Sequence, residues 1–169
     1  MIKIALIGPE SSGKTTLCKT LAQHFNGYWT SEYARDYLTN TSGIYDISDL
    51  DIMAQDQFDL WEQVPNHEIC FYDTEMINYK VWSINKYNIC SKLILSLVDS
   101  QQFDLYLLCM PDLPYEIDSL REFPSYEKRY CLFEKYEEEL RKYNFNYKIV
   151  NGSNISRSEK AISIIQSIF

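Results

Sequence analysis

The sequence predicts an α/β protein, a three-layer αβα fold on a five-stranded parallel sheet. Three observations predict it. The chain opens with a short apolar run, IKIALI, that enters GPESSGKT (Gly8 to Thr15) and then a helical pattern. Short apolar runs then alternate with longer segments of helical period along the 169 residues, the order that makes a parallel sheet with helices on both faces. Finally, Gly8, Ser31, Asp73, Asp112 and Gly152 all fall at the carboxyl ends of expected strands, where such sheets bind ligands.

Each element follows from its local pattern. Ile2 to Ile7 is nearly continuous in apolar residues and ends at Gly-Pro, which suits a strand buried on both faces. TTLCKTLAQHF carries Leu17, Leu21 and Phe25 at helical spacing and stops at Asn26-Gly27. YWT (28–30) is a short second strand. SDLDIMAQDQFDLWEQV reads as a helix capped by Ser48 and ended before Pro65. EICFYD (68–73) is a third strand that ends in an acid; MINYKVWSINKY and KLILSLVDS are helices. FDLYLLCMP (103–111) is the most hydrophobic strand candidate, and the charged stretch after it turns helical beyond Pro124. YKIV (147–150) is the fifth strand, and SEKAISIIQSIF closes the chain as an amphipathic helix. With no repeat, low-complexity tract or Pro/Gly-rich linker, residues 1–169 read as a single domain.

Bulk properties narrow the partners. A net charge of -8 lacks the basic field that nucleic acid or an anionic membrane requires, so small ligands are expected. No apolar run reaches the length of a membrane span. The five cysteines form no C-x-x-C pair and have no companion histidine spacing, which points to reduced thiols and a cytoplasmic location. His24 and His67 stand in separate polar contexts and suggest no metal site or triad.

The chemistry is concentrated in GPESSGKT, which matches G-x-x-x-x-G-K-[ST], the Walker A pattern. In such a loop backbone N–H groups turn inward around phosphates and the following helix adds its positive end. Gly8 and Gly13 permit the turn, Lys14 reaches the outer phosphates, and the Thr15 hydroxyl holds Mg²⁺. Ser11, Ser12 and Thr16 are further candidate phosphate contacts. The fold class is therefore that of the P-loop NTPases. Asp73, which closes a hydrophobic strand, is the expected second Mg²⁺ anchor; the competing reading is a helix N-cap, because Asp-Thr precedes a helix. A GTPase would carry N-K-x-D, whereas Asn85 to Asn88 reads NKYN inside a helical pattern. A small-molecule kinase needs instead a substrate pocket and an arginine-bearing lid that excludes water. Arg121 and Arg129, in a lid over about 113–135, fit that role. A solvated helix face with i,i+4 pairs is the alternative.

Four further segments then fall in order: SEYARDYL, FYDTEMINYKVW, LLCMPDLPYEIDSLRE and RYCLFEKY. With the phosphate loop they resemble the ribosylnicotinamide kinase domain at the C-terminus of the NAD-biosynthesis regulator proteins, in the nucleoside/nucleotide-kinase-like group of P-loop proteins. The resemblance covers nearly the whole chain. It implies ATP-dependent phosphorylation of the 5′-hydroxyl of nicotinamide riboside to nicotinamide mononucleotide, with Mg²⁺ as cofactor and a nucleoside as partner. Three positions depart from the family pattern: Glu75 stands for a usual Asp, Tyr115 for a Trp and Ser119 for a Gly. No DNA-binding or adenylyltransferase module is read here, so the expectation is a free-standing kinase. The alternatives are a relative with another nucleoside or nucleotide as acceptor, and a non-catalytic ATP-binding regulatory module.

Within that expectation Lys14, Arg121 and Arg129 neutralise the transferring phosphoryl group. Asp73 partners the substrate hydroxyl, and Glu32 takes the ribose or shares the base role. Arg35 either binds a phosphate or pins Glu32. A cationic pyridinium ring favours aromatic faces, for which Trp82, Tyr33 and Tyr115 are candidates, each with a core-packing alternative. Asp112, inside P-D-L-P, contacts the substrate or caps a turn. The adenine is expected between the lid and Asn151-Gly152-Ser153, where Gly152 lets the backbone approach the base.

Overall fold

A computed structural model describes residues 1–169, apart from the side chain of Asn154. It contains strands β1 (Ile2–Ile7), β2 (Tyr28–Thr30), β3 (Ile69–Asp73), β4 (Leu105–Cys109) and β5 (Tyr147–Val150). Its helices are α1 (Lys14–His24), α2 (Tyr33–Asn40), α3 (Ile47–Glu62), α4 (Met76–Tyr87), α5 (Lys92–Ser100), α6 (Tyr126–Lys142) and α7 (Asn154–Ile168). The five strands form one parallel sheet in the order β2-β3-β1-β4-β5.

Alternation along the strands builds two cores. Ile4, Leu6, Phe71, Leu105, Leu107 and Cys109 face α1 and α7, whereas Ala5, Ile7, Tyr106 and Leu108 face the layer of α2 to α6. Because β1, β3 and β4 are covered on both sides, they read as nearly continuous apolar runs rather than alternating ones. Each fully buried Leu or Ile contributes about 1.5–3 kcal/mol, which makes these three strands the rigid centre. Register then sets the site: Leu6 pairs with Asp73 and Ile7 with Leu108, so the loop after β1 emerges beside the acid that ends β3.

Helix ends repeat one device. Asn26, Ser42 and Asn144 adopt positive φ (49°, 54° and 53°) after α1, α2 and α6. The next residue's N–H then reaches back to the helix: Gly27 to Ala22 O, Gly43 to Leu38 O and Phe145 to Leu140 O. These are Schellman stops.

Two boundaries differ from the sequence reading. The cap of α3 is Asp46, not Ser48: its carboxylate accepts from Ser48 N and Asp49 N, and Asp49 returns a bond to Asp46 N at 2.7 Å. A D-x-x-D capping box outcompetes a lone serine because it satisfies helix N–H groups reciprocally. Helix α7 begins at Asn154, ahead of SEKAISIIQSIF; its first turn carries only the exposed Ile155 as an apolar residue, and so no apolar period that marks the start.

Candidate functional site

The phosphate loop joins β1 to α1. Gly13, the N-cap of α1, offers no side chain to the helix, so the first-turn N–H groups remain open to an anion. At Gly8 (φ 143°) an added Cβ would lie 2.6 Å from the backbone oxygen of Cys109, which leaves no room for a side chain; at Gly13 the left-handed φ of 76° disfavours one, and its Cβ would press on Leu113 Cδ1 at 2.7 Å. Lys14 Nζ folds back onto Gly8 O (2.9 Å) and Pro9 O (3.0 Å), and Ser12 Oγ donates to Pro9 O (2.7 Å).

Asp73 stands at the end of β3, 1% exposed, next to the Thr15 hydroxyl. Burial pushes its carboxyl up to about 6, with the Glu32 charge adding to the rise and Lys14 and Thr15 opposing it. Among the described residues its Oδ1 has no hydrogen-bond partner. That orphaned buried oxygen beside the Thr15 hydroxyl is a hard donor set, which suits Mg²⁺ with water completing the shell. Among the described residues, no cluster of three or more His, Cys, Asp or Glu offers another metal site.

Next to Asp73 the backbone is strained. Thr74 takes φ 85°, rare for a β-branched residue and characteristic of functional sites. Its buried Oγ1 and the Nδ2 of Asn78 also lack partners among the described residues. The N-cap reading of Asp73 is corrected here: Glu75 caps α4, accepting from Ile77 N (2.9 Å), Asn78 N (3.1 Å) and Gln101 Nε2 (2.9 Å). Glu75 is fully buried, and that burial pushes its carboxyl up to about 7. It serves the helix rather than the site.

A cleft of about 320 Å³ opens between the loop and the layer of α2, α4 and α6. It brings together Gly8, Ser11, Ser12, Gly13, Lys14, Thr15, Thr16, Glu32, Arg35, Trp82 and Arg121 from the sequence reading, with Asp73 in contact through Thr15. Trp82 Nε1 donates to the Tyr45 hydroxyl at 2.9 Å. Arg121 Nη1 donates to Ser11 Oγ at 2.8 Å, from a lid segment (residues 110–125) without helix or strand. Arg129 belongs to α6, is 3% exposed, and directs Nη1 toward Ser11 O and Pro111 O (both 3.5 Å). Neither arginine lies on a solvated helix face. Arg35 pairs with Asp118 of the lid, not with Glu32.

Three expected substrate contacts fall elsewhere. Tyr33 leans toward α3, where a hydrogen bond to Asp56 pushes its hydroxyl up to about 12. Tyr115 lies under the Arg129 guanidinium, 5.6 Å from ring centroid to Cζ, outside the cleft. Asp112 is engaged by Arg157 and accepts from Gly152 N at 2.7 Å; its carboxylate ties loops together and is not free for a substrate.

Sequence reasoning missed Glu10, Tyr45, Asn78 and Arg157. Arg157, 2% exposed on α7, donates to Ser12 O (3.0 Å), Met110 O (3.2 Å) and Gly152 O (3.3 Å) besides pairing with Asp112. It braces the phosphate loop from beneath. Only Asn78 carried a signal, since Asn78 and Trp82 are four apart and share a helix face.

The chain is similar to known proteins over most of its length. A family model described as an AAA domain matches residues 3–157. The chain belongs to that family. It is 31% identical over 129 residues to the trifunctional NAD biosynthesis/regulator protein NadR of Escherichia coli K12, covering 72% of this chain and 31% of that protein. The fold matches a crystal structure of NadR protein in complex with NR, with a TM-score of 0.79 and 21% identity, covering 98% of this chain and 51% of that one. It also matches deoxyadenosine kinase from M. mycoides with dCMP and dCDP, with a TM-score of 0.68 and 16% identity over 98% of this chain and all of that one. The chain therefore spans about a third of the E. coli relative and half of the NadR chain in the NR complex.

Proposed function

We propose that the protein is an ATP-dependent kinase that phosphorylates the 5′-hydroxyl of nicotinamide riboside. The observation that carries this reading is that the cleft extends beyond the phosphate loop to Thr74, Asn78 and Trp82, where buried polar groups have no partner among the described residues. A nucleotide-binding module without an acceptor has no use for that extension. Asn78 and Trp82 stand four residues apart, about 6 Å along α4, and Thr74 lies just ahead of that helix. A nucleoside aligned on that row sets its reactive hydroxyl at Asp73 and Thr74, its ribose at Asn78 and Glu32, and its flat ring at Trp82. The ring of nicotinamide riboside is cationic, and the indole of Trp82 together with the Glu32 carboxylate suits a cation. The relative named NadR and the NR in its structure support the same choice of acceptor.

In the reaction the protein chiefly positions groups and neutralises charge, because the transition state of phosphoryl transfer is loose. The loop N–H groups and Lys14 cradle the ATP phosphates, Arg121 approaches the transferring group from the lid side, and Arg129, buried on α6, backs the loop at Ser11 O. Asp73 orients the acceptor hydroxyl and takes its proton. Thr15 and Asp73 would hold Mg²⁺, which supplies charge neutralisation at the phosphates when bound. Gly152 and its neighbours border the adenine. Residues 1–169 act as one kinase unit, its five cysteines free as a reducing cytoplasm leaves them.

The test is ADP release from Mg·ATP with nicotinamide riboside, the common ribonucleosides and deoxynucleosides, and no acceptor. Turnover with nicotinamide riboside above the others is expected. Turnover with a different nucleoside would keep the kinase and move the substrate. ATP binding with no acceptor-dependent turnover would overturn the proposal in favour of a regulatory module.

A further inference from the structure

Glu10 lies in the phosphate loop, where the neighbouring positions present backbone to an anion. Its own carboxylate turns the other way. Oε2 accepts from Glu122 N at 3.0 Å and Oε1 from Phe123 N at 2.5 Å, across more than a hundred residues of chain. Burial pushes this carboxyl above its ordinary value, although those two N–H groups, Lys14 and Arg121 all oppose the rise. A carboxylate beside a phosphate site costs electrostatic energy once the phosphates arrive. Its presence there calls for a compensating role.

The lid supplies the role. From 110 to 125 it has no helix or strand, so side-chain contacts decide where it rests. The loop provides them: Arg121 Nη1 and Glu116 N both reach Ser11 Oγ (2.8 and 3.4 Å), and Glu10 takes the two N–H groups that follow Arg121. From Glu122 the bonding runs on into the acceptor pocket. Its Oε1 accepts from Tyr45 Oη (2.9 Å) and Lys86 Nζ (2.8 Å), and Tyr45 accepts in turn from Trp82 Nε1 (2.9 Å). Phe123 and Leu120 of the same lid segment line the cleft. An unbroken chain of hydrogen bonds thus joins the phosphate loop, through one lid peptide, to the aromatic wall of the pocket.

We propose that Glu10 is a positioning residue that ties the lid to the phosphate loop, so that filling the loop and filling the acceptor pocket favour each other. Glu10 does not touch the reacting atoms. It sets where Arg121, Glu122 and Phe123 stand, and a lid held against an occupied loop leaves the pocket wall already ordered for the acceptor. Coupling of this kind is reciprocal and commonly amounts to about 5–150-fold in affinity. The inference rests on the kinase reading for its acceptor but not for its contacts.

The experiment measures the Kd of nicotinamide riboside by calorimetry, with the loop empty and with saturating ADP, in the wild-type chain, Glu10→Gln and Glu10→Ala. Hydrogen exchange at the Glu122 and Phe123 amides is followed in parallel. In the wild type ADP should tighten riboside binding by about fivefold or more. In Glu10→Ala that gain should vanish and both amides should lose protection, while ADP alone binds at least as well, because a negative charge has left the loop. Glu10→Gln, which keeps an acceptor oxygen, should retain part of the gain. A gain as large in Glu10→Ala as in the wild type, no gain in the wild type, or unchanged amide protection would each overturn the proposal. If the riboside binds the wild type in neither state, the choice of acceptor fails, and loss or retention of amide protection in Glu10→Ala still decides the role of Glu10.

Discussion

The donor side and the acceptor side of the cleft are built on opposite principles. On the donor side most polar groups that set the loop's shape are engaged: Ser12 Oγ on Pro9 O, Lys14 on Gly8 and Pro9, and Arg157 on Ser12, Met110, Gly152 and Asp112, with Arg129 Nε the buried exception. On the acceptor side Asp73 Oδ1, Thr74 Oγ1 and Asn78 Nδ2 are buried without partners among the described residues, and Thr74 is strained. Every phosphate chain presents the same oxygens, so a self-satisfied, rigid cradle costs nothing in specificity. An acceptor must be told from its analogues, and unpaired buried groups discriminate because a ligand that fails to pair them leaves their desolvation uncompensated.

Five substitutions break or sharpen this contrast. Lys14→Ala should lower kcat by on the order of 10²-fold or more, with the thermal melt nearly unchanged; wild-type kcat would remove the phosphate-loop assignment. Asp73→Asn should cost on the order of 10²-fold in kcat yet raise the Tm of metal-free protein by a few degrees at pH 7.5. The sign follows from the raised carboxyl. It sits at about 6 in the fold against about 3.9 in an unfolded chain, so its contribution is fully present at low pH and is lost as pH rises between those values. Melts of both proteins across pH 4 to 7 in chelator check this, and Asp73→Asn should flatten that part of the curve.

Arg157→Met belongs to the donor side and should act mainly on stability. Breaking a buried pair costs about 3–5 kcal/mol, which should appear as a Tm lowered by roughly 10 °C in a differential scanning trace. Arg121→Ala should lower kcat by about tenfold to a hundredfold and raise the nucleoside KM less; an effect on stability alone would return Arg121 to a structural role. Asn78→Ala is the mildest. It should raise the nucleoside KM about tenfold, the loss of one good hydrogen bond, without lowering Tm, since the donor it removes satisfies nothing in the unliganded fold. A destabilised Asn78→Ala would erase the contrast between the two sides.

What could be read from the chain depended on whether a residue's role is local. GPESSGKT acts through its own backbone, and IKIALI and ICFYD through burial on both faces, so loop, strands and the acid at a strand end were legible. Tyr33 and Tyr115 were misread for the same physical reason. An aromatic side chain fits a cage, a core or a cation, and the choice fell to Asp56 for one and Arg129 for the other. Glu10 and Tyr45 carried no signal at all, because their partners are the lid's Glu122 and Phe123, with Trp82 and Lys86 of α4 also on Tyr45.

The sequence by itself determined the parallel α/β architecture, the phosphate loop and the position of Asp73, all consequences of short-range pattern and of strands buried on two faces. Only the tertiary structure decided that Glu75 caps a helix, that Arg157 rather than a substrate claims Asp112, and that Asn78 faces the cleft without a partner among the described residues. Those outcomes turn on which buried polar group meets which. Burial makes each such pairing worth more than any local preference of the residues involved.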